Sequence, residues 1–197
     1  MPNETSPLLR EILNRRSTGK LTTPVPNTEE LKLIFQAAVT VPDHGQLHPY
    51  RFIAISGEER ELFAEGLLQS AKEIGEVNET MEKKVRKKAY AAPMQLIIIF
   101  SPKESKIPEW EQMATCSCTG YAMSLAANSL GYDTIWKSIG VGAGSQLREL
   151  FNMTPTESLM GWINIGTSET KTDSKLNRIK TNQVSFALKS ANLEPIG

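Results

Sequence analysis

The sequence has few of the residues that metal sites and disulfide frameworks require. Its 197 residues include only two cysteines, Cys116 and Cys118, and two histidines, His44 and His48. These four side chains have no spacing typical of a zinc site. Because 22 basic side chains balance 22 acidic ones, no overall field would draw the chain to nucleic acid or to an anionic membrane. The composition therefore favours chemistry on small molecules.

Long apolar runs are also absent. The longest purely apolar run, residues 96–100, is far shorter than the roughly 20 residues that a helix needs to cross a bilayer. Residues 1–16 lack the continuous apolar core of a signal peptide. We therefore expect a cytoplasmic protein without a membrane segment.

The two cysteines are expected to be reduced and structural. Cys116 and Cys118 fall in a stretch with a helical pattern, where residues two apart point to different sides and cannot easily form a disulfide. A catalytic thiol, or one half of a metal site, is the alternative.

The apolar periodicity predicts a single domain, 1–197, in which helices alternate with a few strands. The predicted helices cover residues 7–16, a segment that starts at a capping box of Asn27 and Glu30 and stops at Pro42, and residues 109–130 and 145–151. The predicted strands cover residues 51–56, 96–100, 133–137 and 159–166. This pattern is typical of an α+β or mixed three-layer fold.

Two regions of this domain indicate contact with a second chain. Residues 109–130 are rich in Ala, Ser and Gly, so another helix could approach closely there, although a buried core within one chain would look similar. Residues 167–197 are polar and would struggle to form a core alone. We expect this C-terminal extension to pack on a partner subunit.

The first candidate site consists of Arg15, Arg16 and Ser17, at the end of the first predicted helix. Two guanidinium groups and a hydroxyl can hold the phosphate and the polar ring edges of a nucleotide cofactor. A structural role is the alternative, since arginines at a helix C-terminus also interact favourably with the helix dipole.

The second candidate site is the polar loop between Pro42 and Tyr50, which leads from a helix directly into a strand. Such a loop can present backbone amides and side chains to a cleft, as a planar polar cofactor requires. His44 could hydrogen-bond a flavin or a phosphate there, or it could cap a local turn.

The third candidate site is Trp136, Lys137 and Ser138, at a strand end before the glycine-rich residues 140–144. A strand followed by glycines and a helix start could hold a phosphate. The spacing departs from GxGxxG, because Ser145 stands where the third glycine would fall. The glycines could also serve only the turns of the loop.

Residues 79–88 carry five basic side chains. They are Lys83, Lys84, Arg86, Lys87 and Lys88. Such a run could attract a nucleotide phosphate, but charge runs are more often solvated helix faces. We therefore predict an exposed, solvated face.

In this order and spacing, the three candidate sites make the chain resemble the nitroreductase family, especially its compact YdjA-type branch. The resemblance spans nearly the whole chain. The motifs that carry it are NRRS at 14–17, PDH at 42–44, HPY at 48–50, PEWEQ at 108–112, IWKS at 135–138 and IGT at 165–167.

The resemblance implies an α+β, nitroreductase-like fold with a central mixed, mainly antiparallel sheet flanked by helices in three α-β-α layers. It also implies a homodimer with two FMN sites at the subunit interface and NAD(P)H as the electron donor. The residues that it assigns to the FMN site are Arg15, Arg16, Ser17, Thr40, His44, Trp136, Lys137 and Ser138. It implies no catalytic side chain and no metal, since the flavin carries the chemistry.

Thr40 departs from the arginine that relatives often have at this position. We therefore expect the phosphate charge to be neutralised less completely, or to be neutralised in part by tail residues such as Lys171, Lys175 or Arg178. The tail also lacks the proline-lysine-serine-arginine phosphate motif of larger relatives.

The resemblance implies a ping-pong oxidoreductase, in which NAD(P)H leaves before an oxidised acceptor such as a nitroaromatic or a quinone enters. Lys137 near the N1 and O2 edge of the ring would stabilise the anionic reduced flavin. Two alternatives remain: a related flavin enzyme that removes a halide or fragments its own flavin, and a dimeric FMN-binding module without turnover. Because His48 and Tyr50 stand where relatives commonly have Gln and Trp, substrate preference cannot be transferred.

Overall fold

The computed structural model describes residues 6–168, 178–189 and 191–196. The helices are α1 (Pro7–Asn14), α2 (Thr28–Ala38), α3 (Glu59–Lys72), α4 (Glu79–Arg86), α5 (Glu109–Ser129) and α6 (Ser145–Leu150). The strands are β1 (Tyr50–Ser56), β2 (Met94–Phe100), β3 (Asp133–Lys137), β4 (Ser158–Gly166), β5 (Phe186–Lys189) and β6 (Asn192–Pro195). Short 3-10 turns lie at His44–Gln46 and Thr181–Gln183.

The main sheet has four strands in the order β1-β2-β4-β3. All seven residues of β2 are buried, because strands flank it on both sides and helices cover both faces of the sheet. This explains why its sequence is nearly continuously apolar instead of alternating. The resemblance implied a mixed, mainly antiparallel sheet, and every pairing among the described strands is antiparallel.

Two cores lie on opposite faces of this sheet. On one face, α2 and α5 pack against even-numbered residues of β2 such as Leu96 and Ile98, together with Ile163 and Ile165 of β4. On the other face, α3, α6 and the end of α4 pack against the odd-numbered residues of β2 and against Trp162. The resulting helix-sheet-helix layers confirm the predicted α+β fold.

The sequence located most elements well but misplaced two helix ends. The capping box of Asn27 and Glu30 is present, and β3 has the predicted bounds. Helix α1 ends at Asn14, because Arg15 already has extended backbone (φ −51°, ψ 130°). Helix α2 ends at Ala38, four residues before Pro42, and the Thr40 hydroxyl donates to the Ala37 carbonyl at 2.8 Å.

The described part of the tail contains a hairpin that the sequence analysis did not predict. Strands β5 and β6 pair antiparallel, and their side chains are mostly exposed, including Phe186, Leu188 and Leu193. Among the described residues, no helix is both long and apolar enough to cross a membrane.

Arg51 and Glu157 form a two-pronged ion pair that joins β1 to the loop before β4. Arg51 Nε donates to Oε1 of Glu157 at 2.7 Å, and its Nη2 donates to Oε2 at 2.8 Å. Glu157 is 5% exposed and also accepts from the Thr154 backbone N–H at 2.9 Å. The hydrogen bond from Arg51 is the largest cause that lowers the pKa of Glu157 to about 2, against the opposing effect of burial.

We expect Glu157→Gln to lower the free energy of unfolding at pH 7 by roughly 3 kcal/mol, because it removes one partner of a buried pair. The pKa of Glu157 is about 2 in the folded chain. A free glutamate has a pKa of about 4.3, so the contribution is complete above that pH and is lost as the pH falls towards the folded value. Urea unfolding at neutral pH and at a pH of about 3 should show the difference between the two proteins shrinking by about half.

Glu29→Gln is the control for this experiment, because its ion pair with Lys32 is exposed. The control should change the free energy of unfolding by less than about 1 kcal/mol. An unchanged gap between wild type and Glu157→Gln in acid would show that this ion pair is not the source of the pH dependence.

Candidate functional site

The end of β3 is positioned by two glycines that leave room for it. A Cβ atom at Gly120, in the middle of α5, would lie 2.0 Å from Cζ3 of Trp136. A Cβ atom at Gly161 of β4 would lie 2.3 Å from the carbonyl oxygen of Lys137 and 2.8 Å from Nε1 of Trp136. Gly161 also has φ +129°, a backbone conformation that side chains disfavour. These glycines therefore fix where Trp136 and Lys137 lie.

The role of both glycines in placing Trp136 was not predicted. The small residues of α5 were expected to admit another helix or to form a buried core within one chain. At Gly120 the group that approaches is the indole of Trp136, from the same chain. A glycine inside a predicted helix, and another inside a predicted strand, were the available signals of a close approach.

Arg15, Arg16 and Ser17 lie near the beginning of β3. The Thr18 N–H donates to the Thr134 carbonyl at 2.9 Å, and the Thr18 hydroxyl donates to Asp133 Oδ1 at 3.0 Å. Both arginines are half-buried and Ser17 is exposed. The segment thus follows α1 and is attached to the first residues of β3.

The tail brings a third guanidinium to this segment. Arg178 Nη2 donates to the Arg15 carbonyl oxygen at 2.9 Å. Arg178 was one of three tail residues expected to share a phosphate, and it lies beside Arg15. The other two, Lys171 and Lys175, lie outside the described residues.

The loop that carries His44 is docked on the N-terminal end of α5. The Thr115 hydroxyl donates to the Pro42 carbonyl at 3.0 Å, and His44 Nδ1 lies 3.2 Å from Glu111 Oε1. Asp43 accepts from the backbone N–H of His48 at 2.8 Å. Gly45 has φ +73°, and a Cβ there would lie 2.8 Å from Ile107, so the loop also needs a glycine at this turn.

The predicted site residues are spread along the length of α5. Thr40 and His44 lie near its first turn, whereas Asp133 follows its last turn, where the Tyr132 N–H donates to the Ala127 carbonyl. At 1.5 Å per residue, the axis from Glu111 to Ala127 is about 24 Å long. Within one chain, the structure brings Arg15, Arg16 and Ser17 to one end of β3 and Trp136, Lys137 and Ser138 to its other end. Thr40 and His44 lie near the N-terminal end of α5, away from Arg15, Arg16 and Ser17, whereas Trp136 packs beside Gly120, about midway along that helix.

Lys137 and Ser138 also line a cavity of about 430 Å³. Its other lining residues are Lys84, Lys87, Lys88, Ala91 and Trp162. Lys83, Lys84 and Lys87 are exposed, as predicted for a solvated face, and Lys88 is half-buried. Lys83 and Arg86 do form exposed or half-exposed ion pairs with glutamates, but the other three lysines face this cavity.

The two cysteines are free, as predicted. Cys116 is buried, and burial raises the pKa of its thiol to about 12, so it is protonated at neutral pH and unsuited to act as a nucleophile. Cys118 is exposed on α5. Across residues 6–168, 178–189 and 191–196, no group of three or more His, Cys, Asp and Glu side chains could hold a metal ion.

Solved structures share this fold. A nitroreductase-like family protein from Bacillus cereus superposes with a TM-score of 0.76 at 20% identity, over 95% of this chain and 98% of the other. The crystal structure described as a putative nitroreductase in complex with FMN, from Desulfovibrio desulfuricans, superposes with a TM-score of 0.67 at 19% identity, over 92% of this chain and 96% of the other.

Sequence relatives agree with the structural ones. The "Putative NAD(P)H nitroreductase" of Haemophilus influenzae is 36% identical over 172 residues, which are 86% of this chain and 93% of the relative. The "Putative NAD(P)H nitroreductase YdjA" of Escherichia coli K12 is 32% identical over 170 residues, 86% of this chain and 92% of the relative. The model of the nitroreductase family matches residues 12–167. With the fold, the relatives and this match in agreement, the chain belongs to the nitroreductase family.

Proposed function

We propose that the protein is an FMN-dependent oxidoreductase that uses NAD(P)H to reduce nitroaromatic, quinone or related oxidised acceptors. Its family supports the oxidoreductase class, and the Desulfovibrio structure of the same fold contains FMN. The observation that carries the proposal is the arrangement along β3. Guanidinium groups lie near its start, and an indole, an ammonium group and a hydroxyl lie at its end.

The chemistry of these groups fits the two parts of FMN. Arg15, Arg16 and Arg178 would hold the phosphate, since guanidinium groups bind phosphate oxygens in pairs of hydrogen bonds. Ser17, Lys137 and Ser138 would bind the polar edges of the ring system. FMN, when bound, supplies the electron transfer between NAD(P)H and the acceptor.

The side chains of the protein would then orient the flavin and stabilise the charge that develops on it. Trp136 is held between Gly120 and Gly161, so the residues that follow it are placed by packing and not by a flexible loop. Lys137 would put a positive charge at the ring edge where negative charge develops on reduction. A ping-pong order follows from a single cleft that donor and acceptor occupy in turn.

The same proposal includes a homodimer with sites shared between subunits. Thr40 and His44 lie towards the end of α5 opposite to that of Arg15, and in this proposal they reach the site of the partner subunit. Exposed apolar side chains on two elements support a partner surface. These are Leu8 (69% exposed), Leu9 and Leu13 of α1, which has no buried residue, and Phe186, Leu188 and Leu193 of the hairpin. The single domain 1–197 would thus pack its tail, from residue 167 onward, on the partner.

The first test is the visible absorption spectrum of the purified, FMN-reconstituted protein. We expect flavin bands that bleach when NADH or NADPH is added without oxygen, and that return with a nitroaromatic or a quinone. Steady turnover would exclude a storage module, and product analysis would exclude loss of halide or cleavage of the flavin. A protein that binds no FMN after reconstitution would contradict the proposal.

The phosphate assignment predicts that Arg15→Ala combined with Arg16→Ala weakens FMN binding strongly. Each lost charge-assisted hydrogen bond should cost about 1.5 to 3 kcal/mol, or roughly tenfold or more in the dissociation constant. Quenching of flavin fluorescence measures this constant. The matched control is Lys32→Ala combined with Lys83→Ala, which also removes two charges, both from exposed ion pairs. Equal dissociation constants for the two double variants would refute the phosphate assignment.

The shared site predicts complementation between two defective chains. His44→Ala alone and the double arginine variant alone should both bind FMN weakly. In a heterodimer of the two, one site receives intact arginines from one chain and intact His44 from the other. Differently tagged, co-purified heterodimers should therefore bind about one FMN per dimer with restored affinity. Affinity no better than that of the two homodimers would show that His44 does not act across the interface.

A further inference from the structure

The cavity beside Lys137 lies where two separate elements end. Lys137 and Ser138 come from the end of β3, and Lys84, Lys87 and Lys88 come from α4 and the turn that follows it. Trp162, the partner of Lys137 in the β3-β4 ladder, also lines the cavity. The cavity therefore adjoins two of the residues proposed to hold the flavin ring, but it adds three lysines that this role does not use.

The spacing of the basic run places its members on two faces. The N–H of Lys87 donates to the Lys83 carbonyl at 3.1 Å, and the N–H of Lys88 donates to the Val85 carbonyl at 3.0 Å, so helical turns continue past α4. Residues 84, 87 and 88 then share one face, at spacings of three and four. Lys83 and Arg86 lie on another face, where Glu79, Glu61, Glu65 and Glu82 pair with them.

The cavity lysines have no such neutralisation. Within the part of the chain that the structure describes, Lys84, Lys87, Lys88 and Lys137 form no salt bridge. Burial, and then the nearby charges of Lys84 and Lys137, lower the pKa of Lys88. Like charges that converge without a counter-charge destabilise one another, and an anion placed among them would relieve this repulsion.

The wall of the cavity suits an aromatic ring more than a free inorganic ion. The exposed surface of the lining is mainly apolar, and Ala91 contributes to it beside the ammonium groups. Trp162 is fully buried, and its Nε1 has no hydrogen-bond partner among the described residues. A flat, apolar group with a negatively charged substituent would match both the wall and the lysines.

We infer that this lysine cavity binds the anionic substituent of a substrate, a carboxylate, sulfonate or phosphate group, while the reacting part of that substrate lies towards Lys137 and Ser138. The inference rests on the proposed function, because it assumes that the substrate is reduced beside the residues at the end of β3. The anion could be carried by the acceptor or be the extra phosphate of NADPH. The chemistry that Lys84, Lys87 and Lys88 recognise is the same in both cases.

The experiment uses the FMN-loaded protein and the double variant Lys87→Gln with Lys88→Gln, which leaves Lys137 in place. Calorimetric titration compares 4-nitrobenzoate with uncharged nitrobenzene, so that binding is measured without turnover. Kinetics then compare NADPH with NADH, and anthraquinone-2-sulfonate with uncharged 2-methyl-1,4-naphthoquinone. Lys32→Gln with Lys83→Gln is the control that removes two charges elsewhere.

We expect the double variant to weaken the binding of at least one charged ligand by about tenfold or more. The binding of its uncharged counterpart should weaken by less than about twofold. A loss confined to NADPH identifies the donor phosphate as the anion. A loss confined to 4-nitrobenzoate and the sulfonate identifies the acceptor. Added salt should weaken the binding of the charged ligand to the wild type, since Lys84 and Lys87 are exposed.

Two results would overturn the inference. Equal losses for charged and uncharged ligands would show that the lysines do not recognise an anion. Loss of FMN itself from the double variant would show that the cavity belongs to the cofactor. Neither result resembles failure of the proposed function, in which the wild-type protein would bind no FMN or would not turn over.

Discussion

The contact between the indole of Trp136 and Gly120 sets the distance between β3 and α5, and the candidate site depends on that distance. No side chain at residue 120 can coexist with the ring in its observed position, since even a Cβ would overlap it. On the other side, Gly161 leaves room for the Lys137 carbonyl. The end of β3 is thus held by packing between a helix and a neighbouring strand, which gives Lys137 and Ser138 a rigid base from which to meet a planar ligand.

The chain is neutral overall, yet its positive groups gather at both ends of β3. Arg15, Arg16 and Arg178 lie towards one end, and Lys137 with three lysines of the basic run lies at the other. Apart from Asp133, which begins β3, many acidic groups form ion pairs elsewhere, on the helix surfaces and in the pair of Arg51 with the buried Glu157. Net charge therefore excludes a global field but says nothing about a local one, and the local field at β3 is the one that suits an anionic cofactor.

Sequence reasoning predicted the α+β fold, the helices and the strands of the main sheet, because the apolar periodicity and the capping box are local signals. It also identified the residues along β3, because they cluster in short motifs. It missed Gly120 and Gly161, whose importance comes from atoms distant in sequence. The helical spacing of the basic run separates residues 84, 87 and 88 from residues 83 and 86, but the cavity beside them depends on where β3 ends relative to α4, and no local pattern encodes that.

The position of Thr40 and His44 follows from the rigidity of α5. A continuous 21-residue helix keeps a fixed length, so residues docked at its first turn cannot swing to the arginine segment beyond its last. If all the predicted residues serve one site, as we propose, the second half must come from another copy. A two-fold axis would place the loop of residues 42–50 in each chain against β3 of the other chain. It would thus complete two equal sites. In one chain α5 keeps the 42–50 loop away from the arginine segment. In the dimer the same helix would set the spacing between the two sites.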